Sequence, residues 1–332
     1  MNFEETRKGY VDALIELARE NPRIVVLDSD VAKATKTCEF QAVFPNRFFN
    51  CGVQEQNMMS VAAGLALEGF VPFATTFAVF ASCRAGDQVR NSIAYPKLNV
   101  KIAATHGGIS TGGDGASHQA NEDIAIMRSF PNMTVLVPGD YEEAKLATRA
   151  AANFIGPVYL RFGRDKYPAV PEIHGDFVIG KGKLLREGHD LTIVTTGIMV
   201  QEGLKAAETL AERGCSARVI HMPTVKPLDT EILLRAAKET KGIVTAEEHS
   251  ILGGLGEAVA GFLAETHPTI VRRVGLKDVF GESGMGQELL DLYGLRAKNI
   301  GAEALRILTN ASSKRDGERR AALGQTPACY TS

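Results

Sequence analysis

The chain has 332 residues, enough for two domains of ordinary size, each able to bury a core without staples. Hydrophobic content of 45% and charged content of 23% exclude a disordered chain, and no apolar run has the length of a transmembrane helix. A formal net charge of −2 gives no reason to expect nucleic acid or an anionic membrane surface as partner. Five cysteines, an odd number without Cys-x-x-Cys spacing, argue against a disulfide framework or a structural zinc site. With no charged-then-apolar leader pattern at the N-terminus, the expectation is a cytoplasmic protein.

In chain order, Tyr10, Leu14, Leu17 and Ala18 form one apolar stripe, which predicts a helix over 3–19, ended by Asn21-Pro22. Ile24-Val-Val-Leu27 is a short, wholly apolar strand of the kind found in buried parallel sheets, and it runs out into Asp28-Ser-Asp30. A strand over 48–51 leads through Gly52 into a helix that opens with Glu55 and carries Met58, Val61, Ala62 and Leu65 at helical spacing. A strand over 71–76 precedes a helix over 77–94; a strand over 100–105 precedes a glycine-rich loop, 107–115, and a helix over 119–129. A strand over 134–137, a helix over 141–154 capped by Asp140, and a strand over 157–161 complete this half. Residues 166–190, rich in Pro, Gly and charge with one short strand at Phe177-Val-Ile179, read as a linker. A second series of strands (191–196, 217–221, 242–246, 269–274) alternates with helices (200–213, 229–240, 254–265), and helices at 284–293 and 299–310 close it. The tail from Ser312 is charged and aperiodic, so it is expected to be disordered.

Strands alternating with helices predict an α/β chain of two doubly wound domains with mainly parallel sheets. The expected boundaries are 1–165 for the first domain, 166–190 for the linker, 191–311 for the second domain and 312–332 for the tail.

Candidate functional residues follow strands of the first domain, at the edge where open α/β folds bind ligands. Glu55 starts a helix at that edge, although a first-turn acid is also favoured by the helix dipole alone. Thr105-His106 ends one strand, and the loop beyond it holds Gly112-Gly-Asp-Gly-Ala-Ser-His118, so His106, Asp114 and His118 can converge. Their spacing matches no common closed metal site, and glycine loops favour close approach of a substrate to backbone, so no metal ligand is assigned. Gly113-Asp-Gly115 has no Asn-Asn pair downstream, which removes it as a magnesium-diphosphate motif. Phe77 and Phe80, at i and i+3, are either core or an aromatic platform for a flat heterocycle. Arg7, Arg161 and Arg164 are candidates for phosphate or carboxylate recognition. No G-x-G-x-x-G follows the first strand, which removes a nicotinamide dehydrogenase.

Taken in order, these pieces resemble the second half of transketolase. The matching stretches are Thr6-Arg-Lys8, Gly52-Val-Gln-Glu-Gln-Asn-Met58, Thr76-Phe-Ala-Val-Phe80, Arg84-Ala-Gly-Asp-Gln-Val-Arg90, His106 through Gly113-Asp-Gly-Ala-Ser-His-Gln119, and Val158-Tyr-Leu-Arg-Phe-Gly-Arg164. Downstream, Thr224-Val-Lys-Pro-Leu-Asp229, Glu247-Glu-His249 and Gly253-Gly-Leu-Gly256 look like the family's C-terminal domain. The resemblance implies a pyrimidine-binding fold followed by that domain, and thiamine diphosphate as cofactor, the electron sink in C–C cleavage. It implies that Glu55 shares a proton with the cofactor's aminopyrimidine, that Phe80 stacks on it with Phe77 alongside, and that His106 and His118 bind hydroxyls or assist proton transfer. By the same match, Asp114 accepts from a sugar hydroxyl, and Arg7 and Arg164, helped by Arg161, hold the phosphate of a sugar phosphate.

Two departures from the family pattern matter. A phosphate-binding serine of the family is replaced by Ala34, with Thr35 next. The family's diphosphate-binding first half is absent, which implies a separate partner chain that holds the diphosphate with Mg2+ (or Ca2+), in an α2β2 assembly. The expected activity is therefore that of the C-terminal subunit of a split transketolase, moving a two-carbon ketol unit from a ketose phosphate to an aldose. The alternatives are a subunit of a deoxyxylulose-phosphate synthase-like or 2-oxoacid dehydrogenase beta-like enzyme, and a non-catalytic scaffold or regulatory paralogue.

Overall fold

Short apolar strands, buried on both faces, build two parallel-rich sheets. The computed structural model describes residues 3–322, with side chains described through Thr309. A seven-stranded sheet runs in the order Thr224–Lys226, Thr134–Leu136, Val158–Arg161, Lys101–Thr105, Val71–Phe77, Ile24–Asp28, Phe48–Asn50. Its pairings are parallel except at Thr224–Lys226, which adds antiparallel to Thr134–Leu136. Side chains alternate across this sheet as the two-residue repeat requires. Ile24 and Val26 join Tyr10, Leu14, Phe73 and Leu160 on one face; Val25 and Leu27 join Met58, Ala62, Ala74 and Ile102 on the other.

A five-stranded sheet follows, ordered Val271–Leu276, Ile243–Ser250, Leu191–Thr195, Ala217–His221, Lys183–Arg186, with only the last strand antiparallel. The chain is thus α/β, with two mainly parallel, doubly wound units. Among the described residues no helix is long and apolar enough to cross a membrane. The described cysteines, Cys38, Cys51, Cys83 and Cys215, are free thiols.

Four local expectations change. Residues Phe3–Glu5 are a strand paired with Lys166–Pro168, and the first helix is Thr6–Glu20. The expected regular helix over 77–94 is broken: Phe77 still belongs to its strand, and Phe80–Arg84 and Val89–Ala94 form widened i→i+5 turns on either side of the turn Gly86–Gln88. Phe177 and Ile179 are not strand residues but partly buried anchors on the first core, and the linker's strands are Lys166–Pro168 and Lys183–Arg186. The last helix, Ala297–Ala322, continues through the start of the segment expected to be a disordered tail. That segment is rich in Ala, Lys, Arg and Glu, and extending a formed helix avoids the cost of nucleation. The remainder of the tail, 323–332, lies outside the described residues.

Candidate active site

The strands Ile24–Asp28, Phe48–Asn50, Val71–Phe77, Lys101–Thr105 and Val158–Arg161 are parallel, so their carboxyl ends share one edge. Glu55 is brought there by a tight turn. The Cys51 amide bonds to the Asp28 carbonyl at 2.9 Å, Gly52 takes φ +73°, and the helix Glu55–Leu67 begins on the carboxylate itself. Glu55 is 1% exposed. Its Oε2 accepts from Arg84 Nη1 at 2.9 Å, and the same guanidinium lies over the Phe80 ring, 4.3 Å from its centroid. A flat, N–H-bearing group thus already occupies the space between the aromatic face and the carboxylate.

Phe77 and Phe80 stack with centroids 5.9 Å apart and planes 18° apart. His106 covers the Phe77 ring at 3.9 Å, and His118 stands edge-on to Phe80 at 5.3 Å. His106 adopts a left-handed φ of +60°, an uncommon conformation for a residue with a side chain, and its carbonyl is braced by Thr111 Oγ1 at 2.7 Å. Arg7 Nη1 has no lone pair, so the Nε2 of His106 accepts from it at 3.4 Å. That partner assigns the ring proton to Nδ1, which faces Thr105 Oγ1 at 2.8 Å. Burial, with the nearby charges of Arg7, Arg164 and His118, lowers the His106 pKa to about 3. The ring is therefore neutral at physiological pH, suited to orienting a hydroxyl rather than to delivering a proton. His118 is half-buried, with Nδ1 2.9 Å from Ser117 Oγ.

Arg164 pairs with Asp114 at 3.2 Å and donates to the Thr111 carbonyl. Arg7 is bonded to Glu5 Oε2 at 3.1 Å and to the Ala34 carbonyl at 2.6 Å. These two cations flank His106. Arg161, expected as a helper in phosphate binding, is 5% exposed, its Nε donates to Asp123 Oδ2 at 2.8 Å, and its Nη2 donates to the carbonyls of Ala120 and Glu248 at 3.0 Å. So engaged, the guanidinium serves as a structural cation in this structure; Arg7, 8% exposed and bonded to Glu5, Ala34 and His106, is held nearly as firmly. Nor does Thr35 replace a serine at position 34; its hydroxyl is fully buried and donates to Asp28 Oδ2 at 3.0 Å.

Two matches decide the family. Residues 4–170 match the transketolase pyrimidine binding domain, and residues 180–300 match the transketolase C-terminal domain. The chain belongs to the transketolase family. It is 50% identical over 301 residues to a Methanocaldococcus jannaschii protein named a transketolase C-terminal section, covering 90% of this chain and 94% of that one. It is 45% identical over 294 residues to a 6-deoxy-6-sulfo-D-fructose transketolase subunit of Clostridium sp. (strain MSTE9), covering 89% and 91%. A solved structure described as a split gene transketolase, inactive beta4 tetramer, superposes with a TM-score of 0.85 at 52% identity, covering 92% of this chain and 98% of that one.

The second domain touches the loop that follows the strand Lys101–Thr105, through Glu248 at Ser110 and the Glu282 carbonyl at Gln119. Sequence reasoning assigned no role to Arg84, although it lies in a quoted matching stretch. It also missed Thr111 and the contact of Glu248 with Ser110, for which the sequence holds no local sign because 138 positions separate the two residues. Among the described residues, no group of three or more His, Cys, Asp or Glu side chains is placed to hold a metal ion.

Proposed function

We propose that this chain is the C-terminal subunit of a two-subunit transketolase that moves a ketol unit from an anionic ketose to an aldose acceptor with thiamine diphosphate. The observation that supports it most is the buried Glu55 carboxylate facing the Arg84 guanidinium on the Phe80 ring. The slot has the shape and polarity of an aminopyrimidine site, with an apolar face below and an acceptor at its edge. When bound there, thiamine diphosphate supplies the electron sink for the broken C–C bond.

This chain's own residues would act around that chemistry. Glu55 would share a proton with the ring nitrogen, with Arg84 displaced from its Oε2. Phe80 would carry the ring's flat face, and Phe77 would hold His106 in place. His106, fixed by Arg7 and Thr105, would receive a substrate hydroxyl, with His118 edge-on to the same aromatic pair. Asp114 would accept from a hydroxyl, and Arg7 and Arg164 would take the terminal anion of the sugar. With Ala34 supplying no hydroxyl, that anion is recognised by charge rather than by a built phosphate cage, which leaves room for a sulfonate as well as a phosphate.

A partner would complete the site by holding the diphosphate and its Mg2+, as one arm of an α2β2 assembly in the cytoplasm. Phe49, Val53, Val61 and Leu67, on the segment around Glu55, are exposed apolar side chains of the kind a partner covers. The test is to reconstitute the chain with the N-terminal transketolase subunit from the same genome and to assay ketol transfer from a panel of phosphorylated and sulfonated ketoses. Glu55→Gln should lower kcat by roughly 10²- to 10⁴-fold, the scale of a lost proton-handling group. Unchanged turnover in that variant would refute the assignment, and turnover of pyruvate in place of ketoses would favour a deoxyxylulose-phosphate synthase-like or 2-oxoacid enzyme.

A further inference from the structure

The loop from Gly107 to Gln119 carries Asp114 and His118, yet the other domain holds it. The Ser110 amide donates to Glu248 Oε1 at 2.7 Å. Gly108, at φ +85°, lies so close to that carboxylate that a Cβ there would sit 2.3 Å from its carboxyl carbon. Gln119 Nε2 donates to the Glu282 carbonyl at 2.9 Å, and a Cβ on Gly286 would lie 2.8 Å from the Ser110 carbonyl oxygen. Arg161 ties the two sides together, bonding to the backbone carbonyls of Ala120 and Glu248.

Glu248 is 4% exposed and lies at the end of the buried strand Ile243–Ser250. Burial pushes its carboxyl up to about 7, against the opposing pull of Arg161 and of the Ser110 amide. Desolvating an acid this far is unfavourable, and apolar packing at the same place would stabilise the domain contact more simply. From Ser110 the contact reaches the site in one residue. Thr111 Oγ1 braces the His106 carbonyl, the Thr111 carbonyl accepts from Arg164, and Arg164 pairs with Asp114.

We propose that Glu248 is a positioning residue: through the Ser110 amide, the C-terminal domain sets the geometry of His106, Arg164 and Asp114. The inference rests on the proposed function for what those three side chains do, but not for the contact itself. The second domain of this chain is on this account part of the active-site frame.

The test uses the reconstituted two-subunit complex with Glu248→Gln, Glu248→Ala and Gly108→Ala. Glutamine keeps an acceptor oxygen for the Ser110 amide, so Glu248→Gln should retain activity within about threefold, whereas the other two should lose roughly 10- to 100-fold in kcat/KM for the ketose, the scale of a misplaced catalytic group. Hydrogen exchange by mass spectrometry should show faster exchange confined to residues 107–119 in Glu248→Ala and not in Glu248→Gln. Wild-type kcat/KM with unaltered loop exchange in Glu248→Ala would overturn the proposal. So would equal loss in Glu248→Gln and Glu248→Ala, or loss of protection spread evenly over both domains. If the wild-type complex has no ketol-transfer activity, the functional reading fails while the exchange measurement still decides whether Glu248 holds the loop.

Discussion

His106 has the most constrained ionisation at the site, and its position makes a prediction with a definite sign. Its folded pKa, about 3, lies below the unfolded value of 6.5, so its contribution to stability is present above pH 6.5 and is lost as pH falls toward 3. Between pH 7.5 and pH 5 the unfolded chain takes up a proton that the folded chain refuses, a loss of roughly 2 kcal/mol at 1.36 kcal/mol per pH unit below 6.5. Urea denaturation at both pH values should show this loss in the wild type and less of it in His106→Asn; an identical pH dependence in the two would contradict the assignment. Arg161 makes the opposite kind of case. Because it is paired with Asp123 inside the protein, Asp123→Ala should cost about 3–5 kcal/mol of stability by stranding a buried charge. Arg164→Ala, at a half-exposed pair, should leave the urea midpoint nearly unchanged and raise KM for an anionic ketose. A raised KM with intact stability for a variant of Arg161 would restore it to the substrate site.

Elements built from local pattern were legible before the fold was seen, and elements built from long-range contact were not. Ile24–Leu27 is an unbroken apolar run because both faces of its sheet are covered, and that run is visible in the sequence. Asp140 announces the helix Tyr141–Asn153 because capping is a local bond, here to the Glu143 amide at 2.9 Å. The convergence of Glu55, Phe77, Phe80, His106 and His118 was legible only because each lies at the end of a strand or beyond it, and parallel strands end on one edge. Thr224–Lys226, by contrast, comes from the second half of the chain and joins the first sheet, a choice that its three residues do not advertise. The helix expected over 77–94 is interrupted by widened turns over Phe80–Arg84 and Val89–Ala94, the first of which carries Arg84 over the Phe80 ring. The burial of Arg161 against Asp123 is not legible, because exposure cannot be judged from a residue type at a strand end.

At the scale of the whole molecule, the proposed function makes this chain one half of a cofactor site. It offers a carboxylate, an aromatic face and two arginines, bordered by exposed apolar side chains. The central claim is that this half becomes a thiamine diphosphate site only against an N-terminal transketolase chain. The direct measurement is calorimetric titration of thiamine diphosphate with Mg2+ into the chain alone, into the reconstituted complex, and into the complex carrying Glu55→Ala. Saturable binding should appear in the complex, be weak or absent in the chain alone, and be weakened by Glu55→Ala. Tight binding to the chain alone, or binding to the complex indifferent to Glu55, would contradict it.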